Sequence, residues 1–257
     1  MDTPLAPKVS IMMCTYNRAP LIKEAIMSAL NQTFSDFELL ILDDASTDTT
    51  AKIVHSFQDS RIRYIKNATR QDIAKNRNRG LAEARGNYIA ILDSDDKWSD
   101  NEKLASQIRF LETHPDVAVV GTFAHTINET GQRNGDIRPE TDPLRIKRNL
   151  LLRNNLINSS SLFHKHLAVL AGGYDDTLSG IEDYDLWLKL GRSHKLANLP
   201  LFMTDYRIHG GQVTKRRLRL AIAHFRLVKR YRRDYPNFLA AYIKSILRII
   251  RSALFIW

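Results

Sequence analysis

Along the first hundred residues, short apolar runs alternate with stretches of helical spacing, and most of these runs break off into polar residues. Lys8 to Cys14 ends in Thr15-Tyr16-Asn17-Arg18, Phe37 to Leu42 in Asp43-Asp44, and Tyr88 to Leu92 in Asp93-Ser94-Asp95-Asp96. Between them, Pro20 opens a helical pattern through Leu21, Ile22, Ala25, Ile26 and Ala29,. A second helix through Ile53, Val54 and Phe57 can be capped from Ser46-Thr47-Asp48, and Arg61 to Ile65 alternates like a short strand,. A third helix, Arg70 to Arg85, is stopped by Gly86. This order predicts βαβ units: an α/β fold with a mostly parallel central sheet flanked by helices. In such a sheet the carboxyl ends of the strands share one rim, where ligands bind. The three polar clusters are therefore expected to meet in space.

Asp93, Asp95 and Asp96 put three carboxylates in four positions at a strand's end, where they repel one another,. Oxygen ligands at that density suit a hard divalent ion, Mg²⁺ or Mn²⁺, with positions left open for phosphate oxygens. The plainer alternative is a solvated acidic loop, with Ser99 or Asp100 capping the helix of Leu104, Ile108 and Leu111,.

The second half departs from the alternation. Val117 to Phe123 reads as a strand, and Asn128 to Pro143, with two glycines and two prolines, as a long loop,. Asn158 to Ser161 and Gly172-Gly173 mark turns, and a helix is expected between Gly180 and Gly191. In that helix Asp183 shares a face with Leu186, Trp187 and Leu190, which must point to the core,. An acid in the first turn favours the helix dipole, but its place on the inward face points to a general base in a cleft.

The 257 residues carry a net charge of +10, which is uneven. From Lys215 to Trp257 there are twelve Lys and Arg against one acid, Asp234; the rest has 26 basic and 27 acidic residues. Two domains are expected: a body over residues 1–214 and a basic amphipathic helical tail over 215–257. The tail reads as two helices broken near Pro236, the second carrying Lys244, Arg248 and Arg251 on one face. An anionic membrane surface is its expected partner; packing on the body with solvated cations is the alternative. No nucleic acid is expected, because no recognised binding motif accompanies the charge. The single Cys14 fits a reducing compartment, and neither a leader segment nor a bilayer-spanning run is evident,.

The ordered motifs resemble the family 2 glycosyltransferases over residues 8 to 214. They are Thr15-Tyr16-Asn17-Arg18, Gln32-Thr33-Phe34, Leu40 to Asp48, Arg77-Asn78-Arg79-Gly80, Ala84-Arg85-Gly86 and Leu92 to Asp96. Gly172 to Asp175, Glu182 to Trp187 and Tyr206-Arg207-Ile208-His209-Gly210 complete the set. The resemblance implies a GT-A fold, a nucleotide diphosphate sugar donor, most often UDP-linked, and transfer with inversion. By position, Thr15, Tyr16, Arg18, Asp44, Arg77 and Asp93 would bind the donor, with Tyr16 near the base, Asp44 bonded to it and Asp93 near the ribose. Asp95 or Asp96, with His209, would hold Mn²⁺ or Mg²⁺, and Asp183 would be the catalytic base. The acceptor would be a hydroxyl of a glycan or lipid-linked saccharide in surface polysaccharide assembly, on the cytoplasmic, inner face of the cell membrane. A polyprenyl-phosphate glycosyltransferase and a non-catalytic nucleotide-sugar-binding membrane protein remain as alternatives.

Overall fold

The structure is a computed structural model that describes residues 6–178, 180–209 and 217–254. Its first part alternates as expected: β1 (Val9–Thr15), α1 (Ile22–Leu30), β2 (Phe37–Asp43), α2 (Thr50–His55), β3 (Ile62–Lys66), α3 (Ile73–Glu83) and β4 (Tyr88–Ile91). Then follow β5 (Lys97–Trp98), α4 (Lys103–Thr113), β6 (Val117–Ile127), β7 (Arg133–Ile137), α5 (Pro143–Asn149), a 3-10 turn (Asn158–Ser160) and β8 (Leu162–His164). The chain continues through α6 (Lys165–Leu170), α7 (Glu182–Gly191), β9 (Lys195–Arg207), α8 (Arg217–Arg230) and α9 (Phe238–Leu254).

All strands join one sheet in the order β3-β2-β1-β4-β8-β6-β9-β5, with β7 added beside β6. β3, β2, β1 and β4 run parallel to one another, and Thr15 lies opposite Asp43 in register. β8 runs antiparallel to both β4 and β6, β9 is parallel to β6, and β5 is antiparallel to β9. The parallel half is the expected one; the other half is mixed. Strands buried on both faces read as unbroken apolar runs, which is why β1 and β2 were legible. Their residues alternate between two cores: Met12, Leu40 and Leu42 pack with Trp187 and Phe163, whereas Ile11, Met13 and Leu39 pack with Ile26 and Leu104,. Gly86 lies so close to β1 that a Cβ there would be 2.5 Å from the Ser10 nitrogen and 2.6 Å from the Val9 carbonyl carbon.

Two sequence expectations change. The stretch Asn128 to Pro143 is not one long loop: β7 pairs antiparallel with the end of β6. Four of its five residues are exposed, so it has no apolar periodicity to read. Residues after Asp142 form α5, whose Leu144 N–H donates to Asp142 Oδ1 at 2.8 Å. The tail is not a separate appendage along its whole length, because Leu227, Val228, Tyr231, Tyr235 and Ala241 belong to the same core as Trp187. The proposed boundary between residues 214 and 215 lies outside the described residues. Among the described residues no helix is long and apolar enough to cross a membrane.

Candidate active site

The carboxyl ends of β1, β2 and β4 do lie together: the Asp44 N–H donates to the Thr15 carbonyl at 2.9 Å, and the Leu92 N–H to that of Met12 at 3.2 Å. Three of the four non-glycine residues with left-handed φ among the described residues, Asn17, Ala45 and Asp72, cluster at this rim. Strain of that kind persists where the surroundings over-determine it. At Asp72 the determinant is Asp44, whose Oδ1 accepts from Asn67 Nδ2 at 2.9 Å and the Gln71 N–H at 2.8 Å and whose Oδ2 accepts from the Asp72 N–H at 3.3 Å; Asn17 is held by Ser46 and Thr47. A cavity of about 320 Å³ lined by Asn67, Thr69, Gln71 and Arg79 opens beside it. The Arg70 guanidinium covers the Tyr16 ring at 4.1 Å. Thr15 Oγ1 is buried with no hydrogen-bond partner among the described residues.

The acids after β4 take three different environments. Asp93 accepts from Arg77 Nη2 on one oxygen at 3.0 Å, and from Asn158 Nδ2 at 2.9 Å and Ser159 Oγ at 3.1 Å on the other. Asp95 Oδ2 lies 2.9 Å from His209 Nε2 and 3.5 Å from Arg18 Nη2. Asp96 is turned into the protein: its Oδ1 accepts from the Arg207 N–H at 2.7 Å and its Oδ2 from Ser159 Oγ. Burial, then Asp95 and Asp93, push the Asp96 carboxyl well above the usual carboxylate range. Of the two candidate metal ligands, Asp96 thus has both oxygens engaged inside the fold, and Asp95 is the outward one. Asp95 and His209 remain as a converging pair, although no group of three His, Cys, Asp or Glu side chains is gathered for a metal among the described residues.

Arg77 ties this rim to α7. It is buried, with Nη1 at 2.6 Å from Glu182 Oε1 and Nη2 on Asp93. That places it against two carboxylates rather than pointing freely into the cleft. The next residue, Asp183, is half-buried and accepts from Asn154 Nδ2 at 3.3 Å. Burial and then Glu182 push its carboxyl up to about 6, against the opposing pull of Arg77. The facing argument from sequence does not single it out, because α7 is buried nearly all round. The fully enclosed acids are its neighbours: Glu182 on Arg77, and Asp185 on Lys189, Arg230 and Tyr231.

The half-buried Tyr206 and the buried Cys14 both sense these residues. The Tyr206 hydroxyl is raised by burial and then by Asp96, Asp93, Asp95 and Asp183 together. The Cys14 thiol is pushed up to about 12, chiefly by burial, with Asp93, Glu182 and Asp44 adding to it and Arg77 opposing. The sequence reading assigns no site role to Glu182, Asn154, Asn158, Ser159 or Arg207. Glu182 and Arg207 stand in the family-like motifs and Ser159 in the Ser-rich turn at 158–161, but only their contacts show which groups they engage. A larger hollow of about 940 Å³, between α1, β5 and the β6–β7 turn, is lined by none of Asp44, Asp93, Asp95 or Asp183.

Comparisons with known proteins bear on this geometry. Residues 10–170 match the family described as Glycosyl transferase family 2. The chain is 33% identical over 236 residues to the UDP-Glc:alpha-D-GlcNAc-diphosphoundecaprenol beta-1,3-glucosyltransferase WfaP of Escherichia coli, covering 86% of this chain and 85% of that protein. It is 31% identical over 213 residues to an uncharacterized glycosyltransferase of Methanocaldococcus jannaschii, covering 81% and 72%. Among solved structures it resembles Staphylococcus aureus TarS 1-349 in complex with UDP-GlcNAc, with a TM-score of 0.73, 18% identity, and coverage of 96% and 73%. It also resembles the mannosyltransferase PcManGT of Pyrobaculum calidifontis in complex with GDP-Man and Mn²⁺, with a TM-score of 0.69, 19% identity, and coverage of 98% and 76%. At these identities the structural likeness carries the fold, which is GT-A.

Proposed function

The chain belongs to glycosyl transferase family 2, and from that premise we propose that it moves a sugar from a UDP-linked donor to a hydroxyl of a lipid-linked saccharide, with inversion. WfaP, named as a UDP-Glc:alpha-D-GlcNAc-diphosphoundecaprenol beta-1,3-glucosyltransferase, supports that donor and acceptor class. The setting is surface polysaccharide assembly on the cytoplasmic face of the membrane.

The observation that carries the chemistry is the buried Arg77 bridge from Asp93 to Glu182, which holds Asp183 beside the strand ends while leaving its carboxylate half open. Asp183 accepts the proton of the acceptor hydroxyl as its oxygen attacks the anomeric carbon and the bond to the diphosphate breaks. The reacting carbon is oxocarbenium-like, so the attacking oxygen needs alignment and deprotonation more than intrinsic strength. A single displacement turns an α-linked donor into a β-linked product. Asn154, on the Asp183 oxygen, orients the base. Asp44 shapes the loop at 70–72 for the nucleobase end, with Tyr16 beside it, and Asp93 lies near the ribose.

One carboxylate and one imidazole, with diphosphate oxygens completing the set, suit Mn²⁺ or Mg²⁺. Asp95 and His209, whose ligating atoms already converge at 2.9 Å, would hold the ion. When bound it would neutralise charge on the departing diphosphate.

The test is nucleoside diphosphate release by the purified chain with Mn²⁺ across a panel of nucleotide sugars. Asp183→Asn is expected to lower turnover by about 10²–10⁴-fold with donor binding retained, the range for loss of a general base. Unchanged turnover in that variant would remove the base assignment. Absence of release from every donor would point to a non-catalytic binding protein.

A further inference from the structure

α9 presents an apolar row that nothing in the described fold covers. Leu239, Ile243, Leu247, Ile250 and Leu254 are 69%, 50%, 60%, 50% and 70% exposed. At about 100° per residue these five fall within an arc of about 80°. The opposite side of the helix is used up: Ala241 and Ser245 are fully buried, and Phe238 and Tyr242 pack on the core. Along one edge of the row stand the exposed cations Lys244, Arg248 and Arg251, and α8 adds exposed Arg226 and Lys229. Among the described residues the helix has 17, short of the roughly 20 apolar residues that a spanning helix needs,.

We propose that α9 lies in the plane of an anionic membrane surface, with this row among the acyl chains and the flanking cations on lipid phosphates. The charge argues for lipid over a second copy of the chain. Two α9 rows face to face would bring two sets of Lys244, Arg248 and Arg251 together, whereas anionic headgroups neutralise them.

The same contacts orient the site. Lys244 Nζ donates to the Leu152 carbonyl at 3.2 Å, and two residues on, Asn154 donates to Asp183. Just beyond α8, Tyr231 and Tyr235 bond Asp185 Oδ1 at 2.8 Å and the Leu188 carbonyl at 2.6 Å, both on α7. An acceptor whose lipid end stays in the bilayer thus meets the base across one short loop. This last step rests on the lipid-linked acceptor proposed above; the membrane contact does not.

The experiment is co-sedimentation of the full chain with vesicles of phosphatidylcholine, with and without phosphatidylglycerol. The wild type is expected to pellet with the phosphatidylglycerol vesicles and to be released by salt. I243E/L247E is expected to weaken binding by on the order of tenfold or more, and R248Q/R251Q to weaken it less. Nucleoside diphosphate release without vesicles stays unchanged in both variants, which shows that they fold. Wild-type protein left in the supernatant, or I243E/L247E pelleting like the wild type, overturns the proposal. So does a wild-type dimer in sedimentation velocity that I243E/L247E dissociates, which would assign the row to a second copy. A chain that pellets normally yet releases nothing from any donor would sink the transferase reading and leave the membrane contact standing.

Discussion

Asp183 and Asp96 are both carboxyls raised by burial, yet their partners divide their roles. Asp96 has each oxygen engaged by a donor inside the protein, whereas Asp183 is half-buried and accepts from Asn154. With its carboxyl at about 6, Asp183 is half ionised near that pH, so kcat/KM should climb through a limb centred near 6 and level off above 7,. A kcat/KM–pH profile checks this. The same shift acts on stability. A carboxyl raised from 3.8 to about 6 on folding favours the native state below pH 3.8 and loses that contribution as pH rises through 6,. Ionised Asp183 therefore costs stability at neutral pH, and Asp183→Asn should raise it by about 1–2 kcal/mol in urea melts at pH 7.5, after allowance for partial exposure. At the next pair, Asp95→Asn should raise the Mn²⁺ concentration for half-maximal activity by about tenfold or more. Asp96→Asn should leave it within about threefold, because the amide oxygen can accept from the Arg207 N–H and the amide NH2 can donate to Ser159 Oγ, whose hydroxyl then turns to Asp93,.

Among the elements, α7 is the one held from both sides. Arg77 of α3 grips its first residue, and the segment after α8 grips its middle through Tyr231, Tyr235 and Arg230. Asp185 is fully buried and is matched by Lys189 at 2.8 Å, Arg230 at 3.2 Å and the Tyr231 hydroxyl. Removing one donor leaves a buried carboxylate short of a partner, which costs more than an ordinary hydrogen bond contributes. Tyr231→Phe should thus lower the urea-unfolding free energy by about 1.5–3 kcal/mol. A loss under about 0.5 kcal/mol would mean that the clamp on α7 is slack.

On the scale of the whole molecule, the basic tail is two things. α8 and the turn after it complete the core, whereas α9 covers that surface with one side and leaves an apolar row on the other. Deleting 217–254 would strip Leu227, Val228, Tyr231, Tyr235 and Ala241 from the core around Trp187 and Leu190. At about 1.5–3 kcal/mol for each large side chain, that loss rivals a typical net stability of about 5–15 kcal/mol. The shortened chain should lose its cooperative thermal transition, as followed by circular dichroism. Deletion of α9 alone should lower the melting temperature and keep the transition. Membrane binding is therefore better probed by surface charge than by cutting the tail.

What the sequence determined was the part governed by local pattern. Runs buried on both faces announce parallel strands, and the acids at their ends announce the rim where β1, β2 and β4 finish together,. Patterning could not find β7, whose exposed residues carry no periodicity, nor β9, whose partner β6 lies some seventy residues earlier in the chain. It could not separate Asp95 from Asp96 either. Adjacent aspartates have the same chemistry, and only Ser159 and Arg207, brought in from distant elements, draw one inward and leave the other beside His209. Likewise the alternation of apolar and basic residues in the tail made it amphipathic, but the demand of α7 for a covering surface decided which helix became core. Local sequence sets which groups are present and in what rhythm; long-range packing sets which of them are buried, and burial decides which carboxylates are left free to act.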